Sequence, residues 1–387
     1  MKIPIAASIA GLTALFFNPT LSFVHPGYTR EIQFNRFKEQ KIQVAILLDV
    51  SNSMDGLIAQ AKTQLWNMAS LLGKAKCEAG QPSIELALYE YGRDANDVKA
   101  GYVKQISPFS TDLEGLSQKL FELTTGGGSE FCGHVIYSSL QELNWDPSPS
   151  SYKVIFIAGN EDFLQGDIQF TQSCAEAAKK GVVVNTIYCG PREQGIREHW
   201  NLGGECGNGA FTNINQDFKE EYIPSPYDST LVVLNNRLNT TYLNYGTAGE
   251  KYLQSLAATD LLLVKSDSMA FNRRIAVKAN SKLYSNAAWD LVDGYTNNKD
   301  FLKTLDKSDL PDSLRNKSTE QLEKIIKSKS AERSDLQKQI TEISNRRDSY
   351  VAAEQKRRST ANQVRSLQSE IEDLIKQQVK RFNMKID

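Results

Sequence analysis

Three short runs, VAILLDV (44–50), YKVIFIAG (152–159) and VVVNTIYCG (182–190), are apolar without any period-two alternation. A strand with one wet face alternates apolar and polar residues, whereas a strand covered on both faces has no reason to. Helical patterns separate these runs. IAQAKTQLWNMASLL (58–72) places Leu65, Met68 and Leu72 on one face, and LEGLSQKLFEL (113–123), HVIYSSLQEL (134–143) and TQSCAEAAKKG (171–181) follow, the last with Gly181 as its stop. SIELALYEYG (83–92), YVKQI (102–106) and GAFTNIN (209–215) add further strands, the last at an edge. The alternation predicts an α/β fold over residues 40–217, a doubly wound, mostly parallel sheet with helices on both faces. Such sheets bind ligands outside the carboxyl ends of their strands.

Residues 218–310 change character and read as helix-rich. LPDSL (310–314) marks a boundary, and 311–387 reads as a long charged helical segment. Leu336, Ile340 and Ile343 step by four and three, and Val364, Leu367, Ile371 and Leu374 by three, four and three. That spacing predicts a coiled-coil seam, formed by one long helix or by two helices folded as a hairpin, with self-association through it. The segment holds 17 Lys and Arg against 12 Asp and Glu, whereas the preceding 310 residues are net −6. A formal charge of −1 for the whole chain gives no sign of a nucleic-acid partner.

IPIAASIAGLTALFF follows Lys2 with no charge in 15 residues. That is short of the ~20 needed to span a bilayer and suits the apolar core of a secretory signal. Pro19 and the small-x-small pattern Thr20-Leu21-Ser22 predict cleavage after Ser22, and hence an exported protein, periplasmic or extracellular, with no membrane span after cleavage. Five cysteines are present, Cys77, Cys132, Cys174, Cys189 and Cys206. Disulfides suit an exported chain, and an odd number leaves at least one thiol free. Cys132, in a loop, and Cys189, at a strand end, both belong near the carboxyl edge of the sheet. They are the candidate disulfide, with Cys174 a rival partner for either. The other reading of Cys132, a nucleophile served by His134, fails on spacing, because residues two apart on a helix point away from each other. No acid/base pair or nucleophile constellation appears elsewhere, so a non-enzymatic protein is expected.

The remaining signal is chemical. VAILLDV runs into Asp49-x-Ser51-x-Ser53, a polar knot at the end of a buried strand. A carboxylate and two hydroxyls leaving a strand in one turn can share a hard cation, directly or through water. Mg²⁺ takes six oxygens at about 2.1 Å, and Ca²⁺ takes more in looser geometry. The other reading makes Asp49 a helix cap and the serines partners of turn amides.

In that setting Asp49-x-Ser51-x-Ser53 resembles the metal-ion-dependent adhesion site of von Willebrand factor type A domains, over roughly residues 40–217. The resemblance implies a divalent cation, Mg²⁺ or Ca²⁺, and a protein partner that offers the ion a carboxylate. It also implies two further loops. Where the family supplies a threonine, LTTGGGSEFCGHV (123–135) offers Ser129 or Glu130. Where the family ends its fourth strand in Thr-Asp-Gly, FIAGNEDF (156–163) has Gly159 in the aspartate's register, with Asn160, Glu161 and Asp162 following. If Glu130 and Glu161 join Asp49, an Mg²⁺ ion is overcompensated. The site then becomes structural or prefers Ca²⁺. ALYEYG, GGGSEFCG, FIAGNEDFLQG, VNTIYCG and WDLVDG are similar to a subgroup of bacterial secreted proteins that join this domain to a helical region. Two functions follow as expectations. One is an exported binding or assembly protein that uses its metal site. The other is a coiled-coil scaffold in which the metal only stabilises. In NAAWDLVDG (286–294), Trp289, Leu291 and Val292 suit packing at a helix end, and Asp290 and Asp293 can cap or bind; the stretch reads as a docking contact of the helical region, the other reading being a second site.

Overall fold

The computed structural model describes residues 40–78, 80–214, 222–281, 283–358 and 367–386. The apolar leader at 1–22 lies outside them. The apolar runs are strands of one six-stranded sheet: β1 (Lys41–Asp49), β2 (Ser83–Tyr91), β3 (Lys104–Ser110), β4 (Tyr152–Gly159), β5 (Val183–Cys189) and β6 (Asn208–Ile214). Their order is β3-β2-β1-β4-β5-β6, with β3 antiparallel to β2 and every other pair parallel. The chain therefore leaves β1 on one side and returns to its other side at β4. That reversal puts a crevice between the carboxyl ends of β1 and β4.

Residue parity explains the unbroken apolar runs. Ile42, Val44, Ile46 and Leu48 of β1 enter one core together with Val154 and Phe156 of β4, and with Ile187 and Cys189 of β5. Ala45, Leu47, Ile155, Ile157 and Tyr188 enter the other. Helices α1 (Ile58–Leu72) and α2 (Leu113–Glu122) cover the first face. Helices α3 (Cys132–Glu142) and α4 (Phe170–Lys180), followed by α5 (Arg192–Arg197) and α6 (Trp200–Cys206), serve the second.

The helical region continues with α7 (Asp228–Asn239), α8 (Gly246–Ser266), α9 (Ser268–Lys278) and α10 (Leu291–Asn297). Two single turns follow, α11 (Phe301–Thr304) and α12 (Asp312–Arg315), and then the 40-residue α13 (Thr319–Arg358) and α14 (Leu367–Lys380). The two apolar stripes of the tail go to different cores. Leu336 and Ile340 of α13 pack with Leu231, Leu234 and Leu238 of α7 and with Phe271 and Ile275 of α9. Ile371, Ile375 and Val379 of α14 join α1 on the sheet. A three-four stripe fixes which face is buried but not what covers it, and here the cover for the second stripe is the α/β core. The seam position Val364 lies outside the described residues, as does the side chain of Leu367.

Buried polar contacts fix these dockings. The Gln378 amide of α14 exchanges hydrogen bonds with the Asn185 amide of β5 at 2.7 and 3.0 Å, and it accepts one from Tyr152 Oη at 2.6 Å. The final residues Lys385–Ile386 pair antiparallel with Ala75–Lys76. Arg333 of α13 donates to Asp290 Oδ2 and Asp293 Oδ1, both at 2.7 Å, and stacks over the Tyr242 ring. Both aspartates of WDLVDG thus hold α13 in place. Arg274 of α9 bridges Glu114 of α2 and Asp260 of α8 at 2.5 and 2.8 Å, and Lys278 adds a second cation on Asp260 at 2.8 Å.

Candidate metal centre

The crevice at the sheet reversal contains the Asp-x-Ser-x-Ser knot. Asp49 ends β1 and is fully buried. Its Oδ1 accepts the Ser51 backbone N–H at 2.7 Å, while Oδ2 makes no hydrogen bond of normal geometry among the described residues. Ser51 opens a single 3₁₀ turn (Asn52–Met54), and α1 starts only at Ile58 with no side-chain cap. Asp49 therefore does not cap α1. The serine hydroxyls do not serve turn amides either. Ser51 Oγ and Ser53 Oγ lie 2.7 Å apart, and Ser53 Oγ donates to Asn160 Oδ1 at 2.8 Å. The Asn160 amide returns a bond to the Ser53 carbonyl at 2.9 Å, tying the end of β4 to the turn after β1.

Glu130 reaches the same place from the glycine loop between α2 and α3. That loop docks backbone to backbone. Gly126 N–H donates to the Val50 carbonyl at 2.8 Å, and a Cβ on Gly128 would lie 2.5 Å from the Gly92 carbonyl oxygen. Gly92 itself has φ +80°, and a Cβ there would lie 2.9 Å from Asp49 Oδ1, 3.1 Å from Glu130 Cγ and 3.4 Å from Ser51 Cβ. Three site residues thus surround one point that only a glycine leaves open. Glu130 is 8% exposed and forms no ion pair among the described residues. Glu161 follows Asn160, with its backbone carbonyl fixed by Trp200 Nε1 at 2.7 Å, and it forms no ion pair among the described residues either. Arg93, next to Gly92, is spent on Glu90 at 3.5 Å and on the Thr124 carbonyl.

The electrostatics follow from that crowding. Burial pushes the Asp49 carboxyl up to about 7, against the pull of Ser51 and of the Asn160 backbone N–H, and the Glu161 charge adds to the rise. Burial also raises Glu130 to about 7, helped by the charges of Asp49 and Glu161. Carboxylates that are buried together without a cation hold their protons. A divalent ion reverses that preference and supplies the missing partner for Asp49 Oδ2.

The expected ligands separate into two groups. Asp49, Ser51, Ser53 and Glu130 come together, with the Glu161 charge acting on both carboxylates. Ser129 precedes Glu130 in the loop and makes no hydrogen bond among the described residues. Also among the described residues, no three acidic, histidine or cysteine side chains converge on a single point at ligand distance. The donor set that fits a cation is therefore one buried carboxylate and two hydroxyls, with the glutamates close by. Asn160, Tyr91 and Gly92 belong to this site as well. Asn160 was legible as the residue straight after the strand end, and Tyr91 and Gly92 carried no local signal.

At Gly159, where the resemblance calls for an aspartate, there is no room for a side chain. A Cβ on Gly159 would lie 2.5 Å from Tyr91 Oη and 3.0 Å from both Cβ and Oδ2 of Asp49. Tyr91 is fully buried and donates to the Ala158 carbonyl at 3.1 Å, so it fills the space a side chain at 159 would need.

The cysteine expectation is corrected. Cys174 and Cys206 form the disulfide, and Cys132 and Cys189 are buried free thiols. Cys189 shares its sheet face with Ile187, while Cys132 on α3 packs into the core on the opposite face, so the sheet stands between them. Cys132 Sγ faces Tyr91 Oη at 3.7 Å, whereas His134 lies against Gly101, whose Cβ position is 2.4 Å from Nδ1. Burial holds both free thiols protonated, the reverse of what a nucleophile requires.

No protein-family model matches this sequence, and no curated protein matches it. Solved structures align with part of it. An aerotolerance-related membrane protein from Bacteroides fragilis is 15% identical at TM-score 0.32, over 45% of this chain and 92% of that one. BatB from Bacteroides thetaiotaomicron is 14% identical at TM-score 0.35, over 45% and 90%. Proximal thread matrix protein 1 from the mussel byssus, with a zinc-occupied MIDAS motif, is 14% identical at TM-score 0.33, over 46% and 43%. At that similarity none of their properties transfers to this chain.

Proposed function

We propose that this chain is an exported, non-enzymatic binding or assembly protein of the von Willebrand type A kind. Its α/β unit holds Mg²⁺ or Ca²⁺ at the end of β1 and presents that edge to a protein partner. One observation carries the reading: at the sheet reversal a fully buried aspartate keeps Oδ2 without a hydrogen bond of normal geometry among the described residues, next to two hydroxyls. Asp49, Ser51 and Ser53 are the residues that would hold the ion, and Glu130 and Glu161 would add charge around it. When bound, the ion supplies a positive centre for oxygen ligands. What the chain itself does is orient those oxygens, through Asn160 on Ser53 and the glycine loop on Val50.

Export is supported by the Cys174–Cys206 disulfide, which belongs in an oxidising compartment, and by the apolar leader. No helix among the described residues is long and apolar enough to cross a membrane. The burial of Cys132 and Cys189 speaks against thiol catalysis beside the site. The test is capture of partners from envelope extracts by the intact chain, with Ca²⁺ or Mg²⁺ and with EDTA. Capture lost in EDTA while circular dichroism stays native supports a metal-dependent interaction. Capture indifferent to EDTA returns the metal to a stabilising role in a helical scaffold.

A further inference from the structure

Two carboxylates of this chain, Asp49 and Glu130, flank one gap in the crevice, and together they match the charge of one divalent ion. An ion held by Asp49 and two neutral hydroxyls keeps one positive charge, and a partner's carboxylate could then cancel it. Here a carboxylate of this chain is already in place. Glu130 is 8% exposed, has no ion pair among the described residues, and its Cγ shares the Gly92 gap with Asp49 Oδ1 and Ser51 Cβ. The second, independent sign of a missing cation is the buried Asp49 Oδ2, which makes no hydrogen bond of normal geometry among the described residues. The Glu130 position is also not free to drift. Gly126 is hydrogen-bonded to Val50, and Gly128 lies against the Gly92 backbone with no room for a Cβ.

We propose that Glu130 is a built-in acidic ligand, direct or through water. It cancels the charge that a partner's carboxylate would otherwise meet, so that the loaded site is closed to incoming acids. The cation then clamps the 124–131 loop to the end of β1. The surface offered to a partner is the clamped loop edge rather than an open metal position. This inference rests on the metal reading above and goes beyond it in naming what the metal does and what kind of ligand it refuses.

The chemistry predicts two effects of opposite sign. Without metal, the Glu130 charge adds to those of Asp49 and Glu161, so Glu130→Gln relieves repulsion and the metal-free protein melts at or above the wild-type temperature. With metal, the same change removes a charge that holds the ion, and affinity falls by about tenfold or more. A side chain that merely packs would lower the melting temperature and leave affinity alone.

The experiment uses the full chain stripped with chelator, titrated with Ca²⁺ and Mg²⁺ by calorimetry in the absence and presence of acetate. Glu130→Gln and Glu130→Thr are compared with wild type. Hydrogen exchange over residues 124–131 reads the clamp. The expected result is that wild-type affinity ignores acetate and that metal slows exchange in the loop. Both variants bind metal more weakly, and acetate restores part of the affinity in Glu130→Thr. Unchanged affinity in both variants, or wild-type affinity that rises with acetate as much as that of Glu130→Thr, overturns the proposal while the metal site stands. A wild-type chain that binds neither ion overturns both.

Discussion

At the scale of single residues, the site depends on who lies next to Asp49. Gly159 can have no side chain because Tyr91 Oη and Asp49 already surround its Cβ position. Gly159→Ala is expected to cost about 1–3 kcal/mol in denaturant unfolding, the usual penalty for overpacking, and Tyr91→Phe should recover part of it. An unaltered midpoint in Gly159→Ala would remove the steric reason for the missing aspartate. That Asp49, Ser51 and Ser53 gather at the end of a buried strand was legible, since an apolar run that enters a polar turn leaves little choice of place. Glu130 and Glu161 were legible only as candidates, because loop residues reveal their position only after the loop has a place. The cysteines show the limit most clearly. Cys189 stands two residues from Ile187, so strand parity already sets the pair on one face, but which face α3 brings to Cys132 depends on the layer order. For the pair that is bonded, 32 residues apart, the chain-entropy model gives roughly 4 kcal/mol of stabilisation. Cys174→Ser is therefore expected to lower the melting temperature, and non-reducing peptide mapping should recover Cys132 and Cys189 as thiols alkylated only after unfolding. Recovery of Cys174 free would contradict this.

At the scale of elements, the alternation of strands and helices carried the α/β unit, because burial on both faces leaves a pattern that composition alone does not. The role of α14 was not legible. Its stripe of Ile371, Ile375 and Val379 is an ordinary amphipathic face, and helical period does not say whether a neighbour is another helix or a sheet. The structure seats it on α1 and β5, with Gln378 locked to Asn185 and Tyr152. α14 is thus part of the sheet's cover although it is remote in sequence. Ile375→Ala should cost about 2–5 kcal/mol. Gln378→Leu should cost about 1–3 kcal/mol by leaving the buried Asn185 amide and Tyr152 hydroxyl without their partner. Both losses should appear in the unfolding of the sheet itself, read by hydrogen exchange in β5. Variants that melt only the tail, leaving β5 protected, would show that α14 is an appendage.

At the scale of the whole molecule, one buried ionic network joins the sheet layer to the helical region. Arg274 and Lys278 of α9 are both fully buried and meet Asp260 of α8, and Arg274 also meets Glu114 of α2. Burial alone would raise the Asp260 carboxyl, but the charges of Lys278 and Arg274 outweigh it and hold it well below the usual carboxylate range. A depressed folded value means that the stabilisation is fully present above the unfolded value of about 3.9 and is lost as pH falls through the folded one. Asp260→Asn should therefore cost about 3–5 kcal/mol at neutral pH, since it leaves buried Lys278 without a carboxylate and Arg274 with Glu114 alone, and its penalty should shrink in strong acid. A penalty independent of pH would assign Asp260 a packing role only. All of this scaffolding serves one claim, that the crevice at the end of β1 holds a divalent cation on Asp49. The most direct measurement is calorimetric titration of chelator-stripped wild type and Asp49→Ala with Ca²⁺ and Mg²⁺. Saturable one-site binding in the wild type, abolished in a folded Asp49→Ala, is the predicted result. Equal binding by the two proteins, or none by the wild type, would contradict the account.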